Sequence, residues 1–133
     1  MDPRDAAEFV RANHNSVLST FRRDGRPQLS PVTAGVDPEG RIIISATQDR
    51  AKTRNARRDP RVALCVMNPR FYGQWVQVEG EAEIVPLPDA MDILVSYYRE
   101  ISGEHPDWDD YRRAMVTDRR CIIRFAITRA YAG

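Results

Sequence analysis

A short basic segment, residues 49–61, holds the side chains of this sequence with the clearest potential for chemistry. Six of its residues are basic and two are acidic, a net charge of +4 in a chain that sums to +1. It follows an apolar run that ends in Ser45-Ala46-Thr47, and its helix-forming composition before Pro60 predicts a strand-to-helix corner. Free backbone N–H groups at a helix start, surrounded by basic side chains and hydroxyls, suit a phosphate. The segment therefore predicts a phosphate site, with a solvated basic helix as the alternative.

The energetics of a phosphate contact indicate what else the ligand must contain. Two or three charge-assisted hydrogen bonds contribute about 1.5–3 kcal/mol each, and micromolar binding requires roughly 8 kcal/mol. The ligand should therefore also bury an apolar or aromatic body. Nucleic acid fits less well, because no aromatic side chains alternate with these bases and the chain as a whole is nearly neutral.

The other catalytic signatures that a sequence can carry are missing. The chain has no Gly-x-Ser-x-Gly, no His-Glu-x-x-His, no phosphate-binding loop ending in Gly-Lys-Ser and no Gly-x-Gly-x-x-Gly. His14 and His105 lack metal-ligand spacing, so no metal site is predicted, and His105 is expected in a helix-entry turn. Glu79, Glu81 and Glu83 should share a solvated strand face. No catalytic residue is identified.

Length and composition set the class of protein. A chain of 133 residues with 42% hydrophobic and 29% charged residues is typical of one globular domain, which we place at 1–133. No signal peptide opens the chain and no apolar run approaches the roughly 20 residues that span a bilayer. Cys65 and Cys121 lie in apolar runs and are expected to be reduced. We therefore expect a cytoplasmic protein without membrane or nucleic-acid partners.

The elements that must position the basic segment are predicted to be strands in hairpin order, with helices inserted late. Pro31 lies within one strand, which indicates an edge position or a bulge there. The pattern favours a mainly β fold, an antiparallel barrel with flanking helices. The predicted strands are 15–22, 28–36, 41–47, 61–67, 74–85 and 121–127, and the predicted helices begin near Asp2-Pro3 and cover 49–59, 89–102 and 107–117.

Several of these stretches together resemble a known family. Residues 45–52, 58–64 and 75–80 are similar to the split β-barrel flavin and deazaflavin proteins, which include the pyridoxamine 5′-phosphate oxidases. The stretches 24–30, 50–55 and 103–112 resemble the B-type branch of the deazaflavin (F420-dependent) reductases of actinobacteria.

The resemblance implies a homodimer of six-stranded split β-barrels with two cofactor grooves between the subunits. The phosphate of the cofactor would sit on Arg50 and Lys52, and its ring would lie along residues 28–32. The residues implied for the phosphate are Ser45, Thr47, Arg50, Ala51, Lys52 and Thr53. Those implied for the ring are Gln28 and Ser30, covered by Gln74, Trp75 and Gln77 from the second subunit.

The same resemblance implies hydride transfer from reduced coenzyme F420 to an electron-poor unsaturated small molecule. FMN stays open as the alternative cofactor because it shares a ring shape and a phosphate, and a non-enzymatic F420 carrier stays open as well. Arg26, Arg54, Arg57 and Arg58 are candidates for the carboxylates of the deazaflavin tail. The chain lacks the arginine–histidine element near the C-terminus of the oxidases, so oxidation of vitamin B6 is not expected.

Overall fold

The computed structural model describes all residues, 1–133, and contains four helices and eight strands. In chain order these are α1 (Pro3–Ala12), β1 (Asn15–Phe21), β2 (Pro27–Val36), β3 (Ile42–Thr47), α2 (Ala51–Arg58), β4 (Arg61–Met67), β5 (Trp75–Glu81), β6 (Glu83–Val85), α3 (Ala90–Ser102), α4 (Trp108–Thr117), β7 (Arg120–Phe125) and β8 (Arg129–Ala132). None of the helices combines the length and the apolar character that crossing a membrane would require.

The strands form one sheet that closes on itself. Their order is β6-β7-β3-β2-β1-β4-β5-β8, and every pairing is antiparallel. β5 and β6 lie near opposite ends of this order, although only Ala82 separates them along the chain. Because one residue cannot span an open sheet, the two ends must meet, and the sheet curls into a barrel.

The mainly β fold with flanking helices is confirmed, but the predicted number of six strands is wrong. The predicted strand 74–85 divides at Ala82, whose N–H donates to the Pro60 carbonyl at 2.7 Å. Before this residue the strand pairs with β4, and after it with β7. The alternation of side chains continues through the division, so the pattern alone could not show the change of partner. The short strand β8, which pairs with β5, has too little pattern to be recognised.

Two apolar clusters hold the layers together. The barrel interior contains a cluster of 19 buried residues, to which α1 adds Ala6 and Val10 at one end. A second cluster of six residues joins α3 and α4 to the outside of the sheet through Leu94 and Ile122. Burying each large apolar side chain contributes about 1.5–3 kcal/mol, so both contacts are substantial.

The feature of the sheet that creates a site is a separation between β2 and β3. Only Ala34–Val36 of β2 pair with β3, whereas the residues from Pro27 to Thr33 pair with β1 alone. β3 continues beyond this contact and pairs with β7 up to Thr47. The two strands are therefore separate in the part of β2 that precedes Ala34 and the part of β3 that follows Ile44. Pro31 lies in the section that has a neighbour on one side only, which confirms the predicted edge position.

The pair of helices α3 and α4 is fixed by an aromatic cluster. Tyr98, His105, Trp108 and Tyr111 pack with ring centroids 5.1–5.8 Å apart. The Tyr111 hydroxyl donates to the Leu94 carbonyl at 2.9 Å. His105 Nδ1 accepts from the Asp107 N–H at 2.9 Å, which confirms its place in a helix-entry turn. These contacts hold the tyrosines of α3 over the separation in the sheet.

Candidate functional site

A groove of about 810 Å³ lies where β2 and β3 separate. This volume falls within the range usual for small-molecule sites. One part of its lining is apolar or aromatic and another is cationic. The apolar part includes Val17, Pro31, Val32, Met67 and Met115, the aromatic part Tyr97, Tyr98 and Tyr111, and the polar part Asn15, Ser16, Thr33, Ser45, Lys52 and Arg120.

The positive charge of the groove is concentrated around Lys52. Burial lowers the pKa of the Lys52 ammonium group, and the neighbouring charges of Arg50 and Arg120 lower it further. No carboxylate contributes to this pKa. Three cations therefore lie close together, and a bound anion would relieve their repulsion.

Two buried polar atoms at this corner have no hydrogen-bond partner, Thr47 Oγ1 and Arg120 Nε. They belong to residues directly opposite each other in the β3–β7 pairing. Leaving a buried donor or acceptor unpaired costs about 1–3 kcal/mol, so such atoms are uncommon unless a ligand or water meets them. Phosphate oxygens accept hydrogen bonds from both a hydroxyl and a guanidinium group. The residues present therefore fit a phosphate.

The start of α2 adds backbone donors to the same corner. Arg50 is the N-cap residue, and its side chain makes no capping hydrogen bond. The N–H groups of the first turn, beginning at Ala51, are thus left for water or an anion. The Thr53 hydroxyl is fully buried and donates to the Thr47 carbonyl at 2.7 Å, so it ties the helix to the strand. Thr53 shapes the corner from behind and does not line the groove.

The residues of β2 that line the groove are not the ones that were expected to contact the ring. Gln28 and Ser30 do not line the groove: their side chains bond to each other at 2.9 and 3.1 Å, nearer the hairpin end of β2. The part of β2 that lines the groove is Pro31–Thr33. The shift by a few residues follows from the point at which β2 leaves β3.

The residues expected from a second subunit do not line the groove of their own chain. Gln74, Trp75 and Gln77 belong to β5 or to the loop before it, and β4 and β1 separate β5 from β2 in the sheet. Gln77 Nε2 donates to Glu79 Oε2 at 2.9 Å. Trp75 borders the groove, because it pairs with Met67, which lines it.

The sequence analysis missed Arg120, which lies at the start of β7 and lines the groove. Its only sequence signal is a position before an apolar strand, which many arginines of this chain share. The arginines expected to meet a cofactor tail, Arg26, Arg54, Arg57 and Arg58, do not line the groove. Arg57 donates to the side chain of Gln48, Arg58 donates to the Phe21 carbonyl at 2.9 Å, and neither lines the groove.

Two tyrosines of the groove, Tyr97 and Tyr111, donate hydrogen bonds from their hydroxyls to backbone carbonyls. Tyr97 donates to the Thr33 carbonyl at 2.7 Å, which satisfies a β2 carbonyl next to the point where β3 departs. Burial raises the pKa of Tyr97, and it raises the pKa of Tyr111 to about 12. Both phenols are therefore protonated at neutral pH and act as hydrogen-bond donors. The groove as a whole can hold a flat, largely apolar body that carries a phosphate.

Comparison with known proteins agrees with this geometry. The family described as pyridoxamine 5′-phosphate oxidase matches residues 3–132. A conserved hypothetical protein from Mycobacterium tuberculosis superposes with a TM-score of 0.81 at 28% identity, over 99% of this chain and 84% of the other. An F420 reductase superposes with a TM-score of 0.73 at 25% identity, over 93% and 94%. A heme binding protein from Mycobacterium smegmatis shares the fold, with a TM-score of 0.74 at 18% identity over 100% and 54%. The chain belongs to the pyridoxamine 5′-phosphate oxidase family and has its split β-barrel fold.

Proposed function

We propose that this protein is an oxidoreductase that uses reduced coenzyme F420 to deliver a hydride to an electron-poor unsaturated small molecule. The observation that carries the proposal is the corner where Lys52, Arg50 and Arg120 meet two unpartnered buried polar atoms, next to an apolar groove. Similarity to an F420 reductase along nearly the whole chain supports the deazaflavin as cofactor. The B-type branch is proposed from the resemblance of residues 24–30, 50–55 and 103–112 alone.

Each part of the groove has a distinct role in this proposal. Lys52, Arg50 and Arg120 hold the phosphate, together with the hydroxyls of Ser45 and Thr47. Pro31–Thr33 support one side of the ring. Apolar contact of this kind contributes about 25 cal/mol per Å² of buried surface, which supplies the affinity that a phosphate alone lacks.

The chain contributes positioning and exclusion of water to the reaction, since the cofactor itself supplies the hydride when bound. Tyr97 and Tyr98 line the groove on the side of α3 and keep water from that side. Neither Tyr97 nor Tyr111 is suited to release a proton, because both have a raised pKa and donate to backbone carbonyls. We assign the proton that accompanies the hydride to solvent.

We further propose that a second copy of the chain completes the groove. Leu29, Trp75 and Tyr131 are 63%, 40% and 42% exposed and lie on the same outer face of the sheet. A face with several large exposed apolar side chains indicates a surface that a partner covers. In a homodimer formed through this face, Gln74, Trp75 and Gln77 of one subunit would reach the groove of the other.

Residues 1–133 would then form one cofactor-binding domain within each subunit. The two cysteines, Cys65 and Cys121, are both free thiols. Free thiols are the usual state in a reducing compartment, and we propose the cytoplasm as the site of action.

Side-by-side titration of the apo-protein with F420 and with FMN tests the cofactor. We expect the fluorescence of F420 to be quenched when the protein binds it, and we expect F420 to bind more tightly than FMN. Tighter binding of FMN, or a yellow protein on purification, would instead establish the flavin alternative. Mixing the reduced F420 complex with α,β-unsaturated ketones then tests the reaction, followed by the return of the oxidised cofactor's absorbance. Tight binding without oxidation by any acceptor would identify a carrier.

A further inference from the structure

Two buried polar side chains of α2, Thr53 and Asn55, hold this helix to two different strands. The helix begins just after β3 and packs against β1 and β2. The Thr53 hydroxyl donates to the Thr47 carbonyl of β3 at 2.7 Å. Asn55 Nδ2 donates to Thr20 Oγ1 of β1 at 3.2 Å. The helix is therefore fixed to β3 on one side and to β1 on the other.

Asn55 is buried, although asparagine is a poor helix former and its amide must find partners away from water. Both ends of the amide have such a partner. Arg58 Nη2 donates to Asn55 Oδ1 at 2.9 Å, and since a guanidinium group only donates, Nδ2 is left to face Thr20. The fully buried Thr20 hydroxyl in turn donates to Gln28 Oε1 at 3.4 Å. The hydrogen bonds thus run from α2 through β1 to β2.

Helical geometry places Lys52 between the two side chains that fix α2. Successive residues of an α-helix are about 100° apart around its axis, so positions 53 and 55 enclose an arc of about 160°. Lys52 and the buried Ala56 fall within this arc. A hydrogen bond keeps its two atoms within about 2.7–3.2 Å, so Thr53 and Asn55, at the two ends of the arc, resist rotation of the helix in either direction. The direction of the Lys52 side chain therefore depends on both hydrogen bonds.

We propose that Asn55 is a positioning residue for the phosphate corner: its hydrogen bond to Thr20 fixes the rotation of α2 that directs Lys52 into the groove. Lys52 lines the groove, whereas Asn55 and Thr20 do not, so Asn55 acts without touching the cofactor. The effect on cofactor affinity rests on the proposed function. The placement of Lys52 does not, because it can be measured on the protein alone.

Lys52 is the only lysine of the chain, so lysine labelled with ¹³C at Cε gives a single side-chain signal in NMR spectra. Titration of this signal in the apo-protein measures the pKa of Lys52. Burial and the charges of Arg50 and Arg120 lower this pKa, whereas Cys121 acts in the opposite direction. Asn55→Leu keeps the size of the side chain and removes its hydrogen bonds. We expect this variant to raise the pKa of Lys52 towards the ordinary lysine value, because rotation of α2 brings the ammonium group into water.

Thr20 provides a second and milder pair of variants. Thr20→Val removes the hydroxyl that accepts from Asn55 and should raise the pKa of Lys52 in the same direction. Thr20→Ser keeps a hydroxyl at this position, so its Lys52 signal should titrate as in the wild type. An equal change in Thr20→Val and Thr20→Ser would overturn the inference, since it would not depend on the hydrogen bond.

Fluorescence titration with F420 tests the same placement in two backgrounds. Asn55→Leu should weaken binding at least about fivefold when Lys52 is present, and less than about twofold in Lys52→Met, because residues that act through one another are not additive. Weakening by the same factor in both backgrounds overturns the inference.

Asp37→Asn is the control for a loss of stability alone. It breaks the ion pair of the buried Asp37 with Arg41, 2.7 Å apart, and neither residue lines the groove. Urea unfolding measures the stability of each variant. Asp37→Asn should lower the stability and leave both the pKa of Lys52 and the affinity for F420 unchanged.

The outcomes for the inference and for the proposed function are distinct. An unchanged pKa of Lys52 in Asn55→Leu and Thr20→Val overturns the inference and leaves the proposed function intact. An equal rise of this pKa in Asp37→Asn overturns it as well, because the rise would then follow from general destabilisation. Failure of the wild type to bind F420 refutes the proposed function, while the titration of Lys52 still decides the inference.

Discussion

Replacing Lys52 with methionine separates the charge of this residue from the bulk of its side chain. A charge-assisted hydrogen bond contributes about 1.5–3 kcal/mol, and each 1.4 kcal/mol corresponds to tenfold in affinity. Arg50 and Arg120 remain in the variant, so the phosphate keeps two of its three cations. We therefore expect Lys52→Met to weaken cofactor binding by at least about tenfold.

The same substitution should affect folding in the opposite direction. The pKa of Lys52 is lowered in the folded protein by burial and by two neighbouring arginines. The unfolded chain therefore binds more protons than the folded one between this lowered pKa and the ordinary lysine value, so the contribution of Lys52 to stability rises with pH across that interval. At neutral pH the charged ammonium group disfavours the apo fold. Lys52→Met should leave the free energy of unfolding unchanged or increase it.

Affinity should depend on pH for the same reason. The ammonium group attracts the phosphate only while it is protonated, so affinity for the cofactor should fall as the pH rises through the lowered pKa of Lys52. Lys52→Arg keeps its charge over the whole range, and Lys52→Met has none to lose. In both variants the affinity for the cofactor should therefore depend less on pH than in the wild type. Lys52→Arg should keep a high affinity over the whole range, and Lys52→Met should keep a low one.

Fluorescence titration of the cofactor measures the affinity of each variant, and urea unfolding measures its stability. Arg112→Met is the control, because Arg112 is an exposed cation of α4 and does not line the groove. An unchanged affinity in Lys52→Met would refute the assignment of the phosphate. An equal loss in Arg112→Met would show that general electrostatics, not a local contact, holds the cofactor. Joint loss of affinity and stability would show that the substitution acts through folding.

The other predictions concern the corner, the α3 contact and the outer face. Thr47→Val removes the buried hydroxyl that has no hydrogen-bond partner. Urea unfolding of this variant should show equal or greater stability than the wild type. Titration should show up to about tenfold weaker cofactor binding. A loss of stability without a loss of affinity would contradict this reading. Tyr97→Phe removes the hydrogen bond to the Thr33 carbonyl. It should lower the free energy of unfolding, measured by urea denaturation, by about 1 kcal/mol. An unchanged free energy of unfolding would mean that this hydrogen bond does not stabilise the fold. Leu29→Asp on the outer face should convert a dimer to a monomer in sedimentation velocity, whereas Val116→Asp, at another exposed apolar side chain, should not; an unaltered dimer in Leu29→Asp would place the interface elsewhere.

Much of the site could be predicted because it depends on local features of the chain. The charge of residues 49–61 and the helix-forming run before Pro60 indicated the strand-to-helix corner, and the structure contains it, with α2 starting at Ala51. The contribution of Arg120 could not be predicted in the same way. It reaches the corner only because β7 pairs with β3 and brings Arg120 opposite Thr47, a contact between residues 73 positions apart.

The sequence by itself determined the mainly β class, the helix positions and the location of the positive charge, since these follow from periodicity and composition within short windows. Tertiary structure decided which strand segments pair. β2 is separate from β3 before Ala34, and this separation places Pro31–Thr33, and not Gln28 and Ser30, in the groove. The change of partner at Ala82 likewise divides one alternating run into two strands. Alternation shows that a strand has a buried face, but the partner on each edge depends on hydrogen bonds to distant segments, which no local pattern contains.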